Sequence, residues 1–572
     1  MEYAAIHHDM DKRFCYALAP DCFLFRIRTK KGDMRQVVMH YQDKYLPIKF
    51  MDTRKETLME KAASDEYWDY YELTLHFHVV CLRYFFELTD CAGEKIYYGN
   101  YEFSRECITD IDKMFDCPQN LREEECFAVP EWAANQVVYQ IFPSRFAASR
   151  PVDRELWYKA PIAPDDNLHG DLRGIIAHME HMHELGIDVL YMTPIFRSNS
   201  SHKYDTIDYY QIDPSFGTKE DLKELVQKAH SLGMRVVLDG VFNHTAPEFF
   251  AFSDIVEKEE KSRYLDWYFV EGFPLVREWG KKPNFKTFSY YGGMPKLNLR
   301  NPEVEAYIFD VARYWIRECD IDGWRLDVGD EISHRFWKRF REAVKQEKSD
   351  LLIIGEVWHY AGDFLEGDEW DTVMNYHFYL AVMDFVARES ITATELLERL
   401  SYMRGRIHTR VYPLLWNLID SHDTARFLHS CGNDKKKQRL GAAFLLLLPG
   451  MPMIYYGDEY AMQGGKDPDC RRGMAWDGAH QDGEMFAWYK RLIAVRHASP
   501  CLTAGKLMDA AAEDSTGLIR MERQDGREHL LLLFHGKAEP VELKEYEGYD
   551  NLLTGAPFTG ILEGWDAAVL RV

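Results

Sequence analysis

The sequence predicts an α/β protein: a closed (β/α)8 TIM barrel with an N-terminal β-sandwich domain, a small excursion domain after the third barrel strand and a C-terminal antiparallel β domain. Three observations lead there. From about residue 133, short apolar strands alternate with longer amphipathic stretches. Before about residue 125 the pattern is short alternating β runs between turn signals. Charged residues also stand at the ends of several otherwise apolar strands, where an enzyme of this architecture keeps its chemistry.

At 572 residues the chain exceeds one simple core, taking roughly 150 residues per domain as a guide. "FLFRIRTKKGDMRQVVMHY", "YYELTLHFHVVCLRYFFEL" and "KIYYGNYEF" alternate around "KKGD" and "DCAGEK", so residues 1–125 are assigned to an antiparallel sandwich. The acidic "NLREEECFAVPEW" (120–132) reads as a linker. The barrel is assigned to 133–499. Its strands are "VVYQIF" (137–142), "VLYMTPIF", "RVVLDGVF" (235–242), "GWRLDV" (323–328), "LLIIGEVW" (351–358), "TVMNYHF" (372–378), "LLWNLID" (414–420) and "MIYYG" (453–457). Helical segments such as "KEDLKELVQKAHSLG" (219–233) and "PEVEAYIFDVARYWIREC" (302–319) separate them. The long gap at 245–300, rich in aromatics and glycine, reads as the excursion. "LIRMERQDGREHLLLLFHG" and "AAVLRV" place the last β domain in 500–572.

A net charge of −24 sets the chain against nucleic-acid phosphates and anionic membranes, so neither is an expected partner and a neutral substrate suits it better. "MEYAAIHHDMDKRF" lacks the apolar core of a signal peptide. The most apolar run, "AAFLLLLPGMPMIYY" (442–456), is broken by Pro449 and Pro452 and falls short of the ~20 residues of a membrane span. It reads as a buried helix end followed by a buried strand. The eleven cysteines show no CxxC or paired metal spacing, so free thiols and a cytoplasmic protein are expected.

The sharpest signal is "IDGWRLDVGDE" (321–331), an interior strand carrying Arg325 and Asp327 on one face. The third strand ends with Asp239, Asn243 and His244, the fifth with Glu356, and the seventh with His422 and Asp423. Singly, each has an ordinary reading. Asp423 caps a helix near Thr424, Arg325 and Asp327 form a structural ion pair, Glu356 is a solvated loop residue, and His244 is a satisfied core histidine. Converging on one barrel mouth, they are costly without a use.

These segments resemble the motifs of the α-amylase family of glycoside hydrolases, in the family's order. "DGVFNH" (239–244), "GWRLDVGDE" (323–331), "IIGEVW" (353–358) and "IDSHDT" (419–424) match four of its regions, and "VYQIFPSRF" (138–146) and "GMPMIYYGDE" (450–459) match flanking ones. "MPKLN" (294–298) and the N-terminal β domain are similar to the cyclomaltodextrinase, neopullulanase and maltogenic amylase subfamily.

The resemblance implies Asp327 as nucleophile, Glu356 as acid/base and Asp423 as the carboxylate that favours a distorted sugar ring. Arg325 is then expected to keep Asp327 ionised. Glu356 has no cation adjacent in sequence, only Val357 and Trp358, and an apolar, aromatic setting is expected to raise its pKa and hold its proton for the leaving group. His244 and His422 are implied to bond hydroxyls of one glucosyl unit, with Tyr204 and Asp205 in "HKYDTIDYY" lining it. Asp467 and Arg471 in "KDPDCRRGMAW" are implied on the non-reducing side, and Trp358 on the leaving-group sugar unless it is plain rim packing. Asp239 is expected to act in support. Where relatives often hold calcium, this chain has "SRFAASRPVDRE" (144–155), leaving Gly170 and Asp171 as a poor cage, so no metal or cofactor is expected. The subfamily implies a homodimer through the N-terminal domain, with Tyr45 as a lid residue.

The expected function is retaining hydrolysis of cyclomaltodextrins, maltooligosaccharides and pullulan, with transfer to sugar acceptors in competition. An exo-acting α-1,6-glucosidase and a non-catalytic glycan-binding barrel are the alternatives.

Overall fold

The computed structural model describes residues 1–46, 54–118, 121–278 and 280–572. It divides into two compact units. One is Met1–Val129 with Leu365–Gly367 and Thr394–Tyr412, and the other is the remainder.

The first unit is the expected sandwich. Cys15–Ala19, Cys22–Lys30, Trp68–His76 and Glu60–Ser64 form one antiparallel sheet. Lys55–Leu58, Met34–Asp43, Cys81–Asp90, Lys95–Tyr98 and Phe103–Ser104 run through the other. Period-two alternation fills the space between them: Phe23, Phe25 and Ile27 from one strand meet Val37 and Met39, and Tyr84, Phe86 and Leu88, in one core cluster.

Two stretches assigned along the chain to the barrel span 133–499, Leu365–Gly367 and Thr394–Tyr412, cluster with these strands instead. The cause is electrostatic as well as apolar. Glu72 accepts from Arg26 Nε at 2.8 Å and from Arg404 Nη2 at 2.7 Å. Burial pushes the Glu72 carboxyl up, but Arg26 and Arg404 overcome it and hold the group at about 2. His408 stacks on Phe127 at 3.7 Å.

In the second unit eight parallel strands close into a barrel. They are β1 (Val138–Ile141), β2 (Val189–Met192), β3 (Arg235–Gly240), β4 (Gly323–Leu326), β5 (Leu352–Gly355), β6 (Thr372–Asn375), β7 (Trp416–Asn417) and β8 (Met451–Tyr455). β1 pairs with β8, which closes the ring. The helix Lys219–Ser231 opens on a capping box, Thr218 Oγ1 accepting from Asp221 N (3.2 Å) while Asp221 Oδ2 accepts from Thr218 N (2.8 Å). The helix Pro302–Cys319 starts on Asn301 with proline in its first turn and buries Val304, Ile308, Val311, Ala312 and Trp315 on one face.

The stretch 245–300 leaves after β3 and is stitched back beside it by Leu297 N to Asn243 O (3.0 Å) and Thr245 N to Pro295 O (3.1 Å). The apolar run 442–456 is the end of the helix Lys435–Leu447 and then β8, both buried, as read from the sequence. Lys506–Glu513, Leu518–Gln524, His529–His535 and Asp566–Arg571 form the body of the C-terminal antiparallel sheet. Among the described residues no helix is long and apolar enough to cross a membrane.

Candidate active site

Asp239 closes β3, Arg325 lies in β4 with Asp327 just beyond it, and Glu356 follows β5, so adjacent staves present all four at one end of the barrel. Arg325 is fully buried and joins them. Its Nη1 donates to Asp327 Oδ1 (2.8 Å) and to Asp239 Oδ1 and Oδ2 (3.1 and 3.0 Å). Its Nη2 lies 3.1 Å from Glu356 Oε2. This corrects the expectation of an apolar, aromatic setting for Glu356, because a cation distant in sequence stands beside it in space. The register that sets Arg325 opposite Ile354 brings the guanidinium across to the next strand's end.

Three acids around one cation carry excess negative charge in a buried place. Burial pushes the Asp327 carboxyl well above the usual range and Asp239 to about 6, in both cases against the pull of Arg325. Burial and the Arg325 guanidinium thus act in opposite directions on these two carboxyls.

Local backbone completes the geometry. Val328, immediately after Asp327, sits in the left-handed region at φ 48° and ψ 44°, a strained place for a β-branched residue. The strain turns its N–H onto Glu356 Oε2 at 2.9 Å. Gly355 lets the end of β5 lie against Trp370, where a Cβ would come within 2.2 Å of the ring. Trp358 donates Nε1–H to Glu356 Oε1 (2.9 Å) and stacks on Tyr376 at 3.9 Å, with 49% of its surface exposed.

A second network lies opposite. Burial pulls His422 well below its ordinary pKa, so the ring is neutral. Gln140 Nε2 donates to its Nδ1 (2.8 Å), which leaves the proton on Nε2, facing Tyr204 Oη (2.5 Å) and Asp423 Oδ2 (3.2 Å). Tyr204 in turn donates to Asp239 Oδ2 at 3.2 Å, and Tyr191 does so at 2.7 Å. Arg471 Nε donates to the His422 carbonyl (2.9 Å), while Nη2 reaches Asp423 Oδ1 (3.4 Å) and Nη1 reaches Asp467 (2.9 Å).

Asp423 is not a helix cap. The helix Phe427–Ser430 has no side-chain cap, and Phe427 N donates to Asp420 instead.

The structure thus brings together Asp327, Glu356, Arg325, His422, Asp423, Tyr204 and Arg471, with Trp358 and Asp467 at the edges. Two residues stand differently from what the resemblance implied. His244, held at about 3 by burial, gives Nε2–H to the Tyr204 carbonyl (3.1 Å) and stacks on Phe288, while Nδ1 faces Asn243 Nδ2 (3.4 Å). Its bonds position Tyr204. Asp205 is held by the hydroxyls of Ser198 and Ser200, so it braces its own loop.

Gln140, Tyr191, Tyr376 and Val328 were not singled out from sequence. Gln140 had a usable signal, a polar residue inside the buried "VYQIF", the same sign that exposed Arg325. The other three had none, because apolar and aromatic residues are ordinary there.

Fold and site together define a barrel glycoside hydrolase, and the chain belongs to the α-amylase family. Residues 140–483 match "Alpha amylase, catalytic domain" and residues 1–119 match "Alpha amylase, N-terminal ig-like domain". A cyclomaltodextrinase of Geobacillus thermopakistaniensis is 41% identical over 98% of this chain and 97% of its own, and neopullulanase 2 of Thermoactinomyces vulgaris is 41% identical over 94% and 91%. A solved cyclomaltodextrinase structure superposes with TM-score 0.92 at 37% identity, covering 100% of this chain and 98% of that one.

Proposed function

We propose that the protein hydrolyses α-1,4-glucosidic bonds of cyclomaltodextrins, maltooligosaccharides and pullulan with retention of configuration. The observation that carries this is the single guanidinium of Arg325 touching both Asp327 and Glu356. Two carboxyls on one planar fork are close enough for a retaining pair, which needs a separation of about 5–5.5 Å.

In the first step Asp327 attacks the anomeric carbon as the glycosidic C–O bond breaks, and Glu356, acting as the general acid, delivers a proton to the leaving oxygen. In the second, Glu356 takes a proton from water, whose oxygen displaces Asp327. A sugar hydroxyl can replace that water, which gives transglycosylation. Asp423 and His422 bond ring hydroxyls on the donor side, contacts most useful when they tighten in the transition state. Arg471 and Asp467 extend that side. The exposed face of Trp358 takes the leaving sugar.

The family's calcium after β1 has no place here. Asp171 already accepts from Ser149 N (3.2 Å to each oxygen), Ser149 Oγ (2.8 Å) and Gly174 N (2.6 Å), so its carboxylate is saturated by serine and a helix start. We infer that the chain works without a resident metal or cofactor. The N-terminal unit exposes Tyr45 and Tyr101 (68% and 79%), which suits pairing with a second copy and a lid role for Tyr45. A relative named "Intracellular maltogenic amylase" from Bacillus subtilis supports a cytoplasmic location.

The deciding experiment follows initial products from β-cyclodextrin, pullulan, soluble starch and isomaltose by proton NMR. Cyclodextrin is expected to be cut fastest, with α-anomers appearing first. β-Anomers first, or isomaltose as best substrate, would overturn the proposal.

A further inference from the structure

Seven of the eleven cysteines lie in the N-terminal β unit, and each of them is a free thiol. Two of these meet. Cys15 opens the strand Cys15–Ala19 in one sheet of the sandwich. Cys117 lies in Phe115–Pro118, which pairs with Cys81–Asp90 in the other sheet. Their sulfurs are 3.5 Å apart, although the residues are separated by 102 positions of chain. Only the packing of sheet on sheet makes them neighbours.

Register explains why Cys117 meets Cys15 and not the cysteine of its own sheet. Directly opposed residues of paired strands share a face. Cys117 opposes Leu82, and both enter the core cluster against which Cys15 packs. Cys81 opposes Pro118 instead, so it belongs to the other face. Cys22, on the strand after Cys15, has its sulfur beside His76 Nε2 at 3.5 Å. Access to the pair is one-sided, because Cys117 is buried and Cys15 is half-buried. Hydrogen bonding between the two sulfurs, and then burial, push the Cys117 thiol far up, which keeps it inert toward reagents from solvent. An oxidant therefore meets Cys15 first, and once Cys15 is modified the hydrogen bonding that held the Cys117 proton is gone. A disulfide at ~2.0 Å asks the two sulfurs to close by about 1.5 Å.

We propose that Cys15 and Cys117 form a reversible disulfide when the protein meets a disulfide oxidant such as oxidised glutathione, linking the two sheets of the N-terminal unit. The Cys15 thiolate attacks one glutathione sulfur, which breaks the glutathione S–S bond and releases one glutathione thiolate. Cys117 then attacks the Cys15 sulfur of the mixed disulfide and releases the second. The two cysteines give up two electrons and two protons, and oxidised glutathione takes both and leaves as two glutathione thiols. Cross-links that close long stretches of chain restrict the unfolded state most, and this one joins residues 102 positions apart. Oxidation thus makes the unit harder to unfold. In a reducing compartment such a pair responds to redox state and is no permanent staple.

The test reads linkage and stability, not turnover, so its failure leaves the hydrolase reading standing. The full-length protein is incubated with oxidised glutathione, remaining thiols are alkylated, and unreduced peptides are mapped by mass spectrometry. A peptide pair joining Cys15 to Cys117 is expected, and dithiothreitol should reverse it. Cys15 and Cys22 fall in one tryptic peptide, so fragmentation between them assigns the link. Oxidation should also raise the thermal midpoint by several degrees. Cys15→Ser should lose both the link and the rise, and Cys117→Ala should do the same. Should Cys117→Ala fail to fold, Cys15→Ser decides. A glutathione adduct that stays on Cys15, a link from Cys117 to Cys81 or Cys22, or a rise retained by Cys15→Ser would overturn the proposal. So would an oxidised protein no more heat-stable than the reduced one.

Discussion

Arg325 Nη2 lies 3.1 Å from Glu356 Oε2, although the two residues come from neighbouring strands and Arg325 also holds Asp327 at 2.8 Å. One cation therefore orients both members of the reacting pair, and it makes them interdependent.

Asp327→Asn and Glu356→Gln each remove one half of the retaining chemistry while keeping shape. Each should lower kcat on β-cyclodextrin at least about 10³-fold with an unchanged circular dichroism spectrum. A variant turning over near the native rate would refute the assignment.

Arg325→Lys keeps the charge and loses the fork, since one ammonium cannot sit against Asp327, Asp239 and Glu356 together. A fall in kcat of about 10²-fold is expected, with a stability loss on the order of 3 kcal/mol by denaturant titration. Equal loss of KM affinity and no loss of kcat would mean that the arginine serves binding alone.

Trp358→Ala takes away both the platform on Tyr376 and the N–H on Glu356 Oε1. With maltose added as acceptor, the ratio of transfer to hydrolysis should fall several-fold, read by chromatography of products. An unchanged ratio would return Trp358 to rim packing.

Dialysis against EDTA should leave rate and Tm unchanged. Ser149→Ala should cost about 1–2 kcal/mol by removing the hydroxyl donor to Asp171 Oδ2, and added calcium should not restore it. Calcium rescue would show a cation site where the serine clamp is inferred.

Glu72 gives a pH signature in the N-terminal unit. Its folded pKa of about 2 lies below the unfolded value near 4.5, so its contribution is complete above the unfolded value and lost as pH falls through the folded one. Acid unfolding of the wild type should steepen in that window, and Glu72→Gln should remove that part of the slope while destabilising the unit at neutral pH by about 3 kcal/mol. Parallel Tm–pH curves for the two proteins would exclude this linkage.

Much of the architecture was legible because period and polarity are local properties. Eight apolar runs with helices between them announce a closed parallel sheet. Arg325 and Asp327 were visible for a related reason: charge in a buried strand has no cheap explanation. His244 and Asp205 were placed by resemblance, and neither motif told which ring nitrogen or carboxylate oxygen the protein itself would consume. Thr394–Tyr412 was read as barrel because nothing in its own pattern reveals that Arg404 finds Glu72 across 332 positions of chain.

By itself, then, the sequence determined the order of domains, the strand ends that carry acids, and the family to which those acids belong. Each of these follows from residues close along the chain. Only tertiary structure decided that Glu356 shares the cation of Asp327 and that a strained Val328 aims its N–H at the Glu356 carboxylate. Those facts depend on register, packing and what lies within a few ångströms across the barrel, distances that neighbouring residues in sequence do not encode.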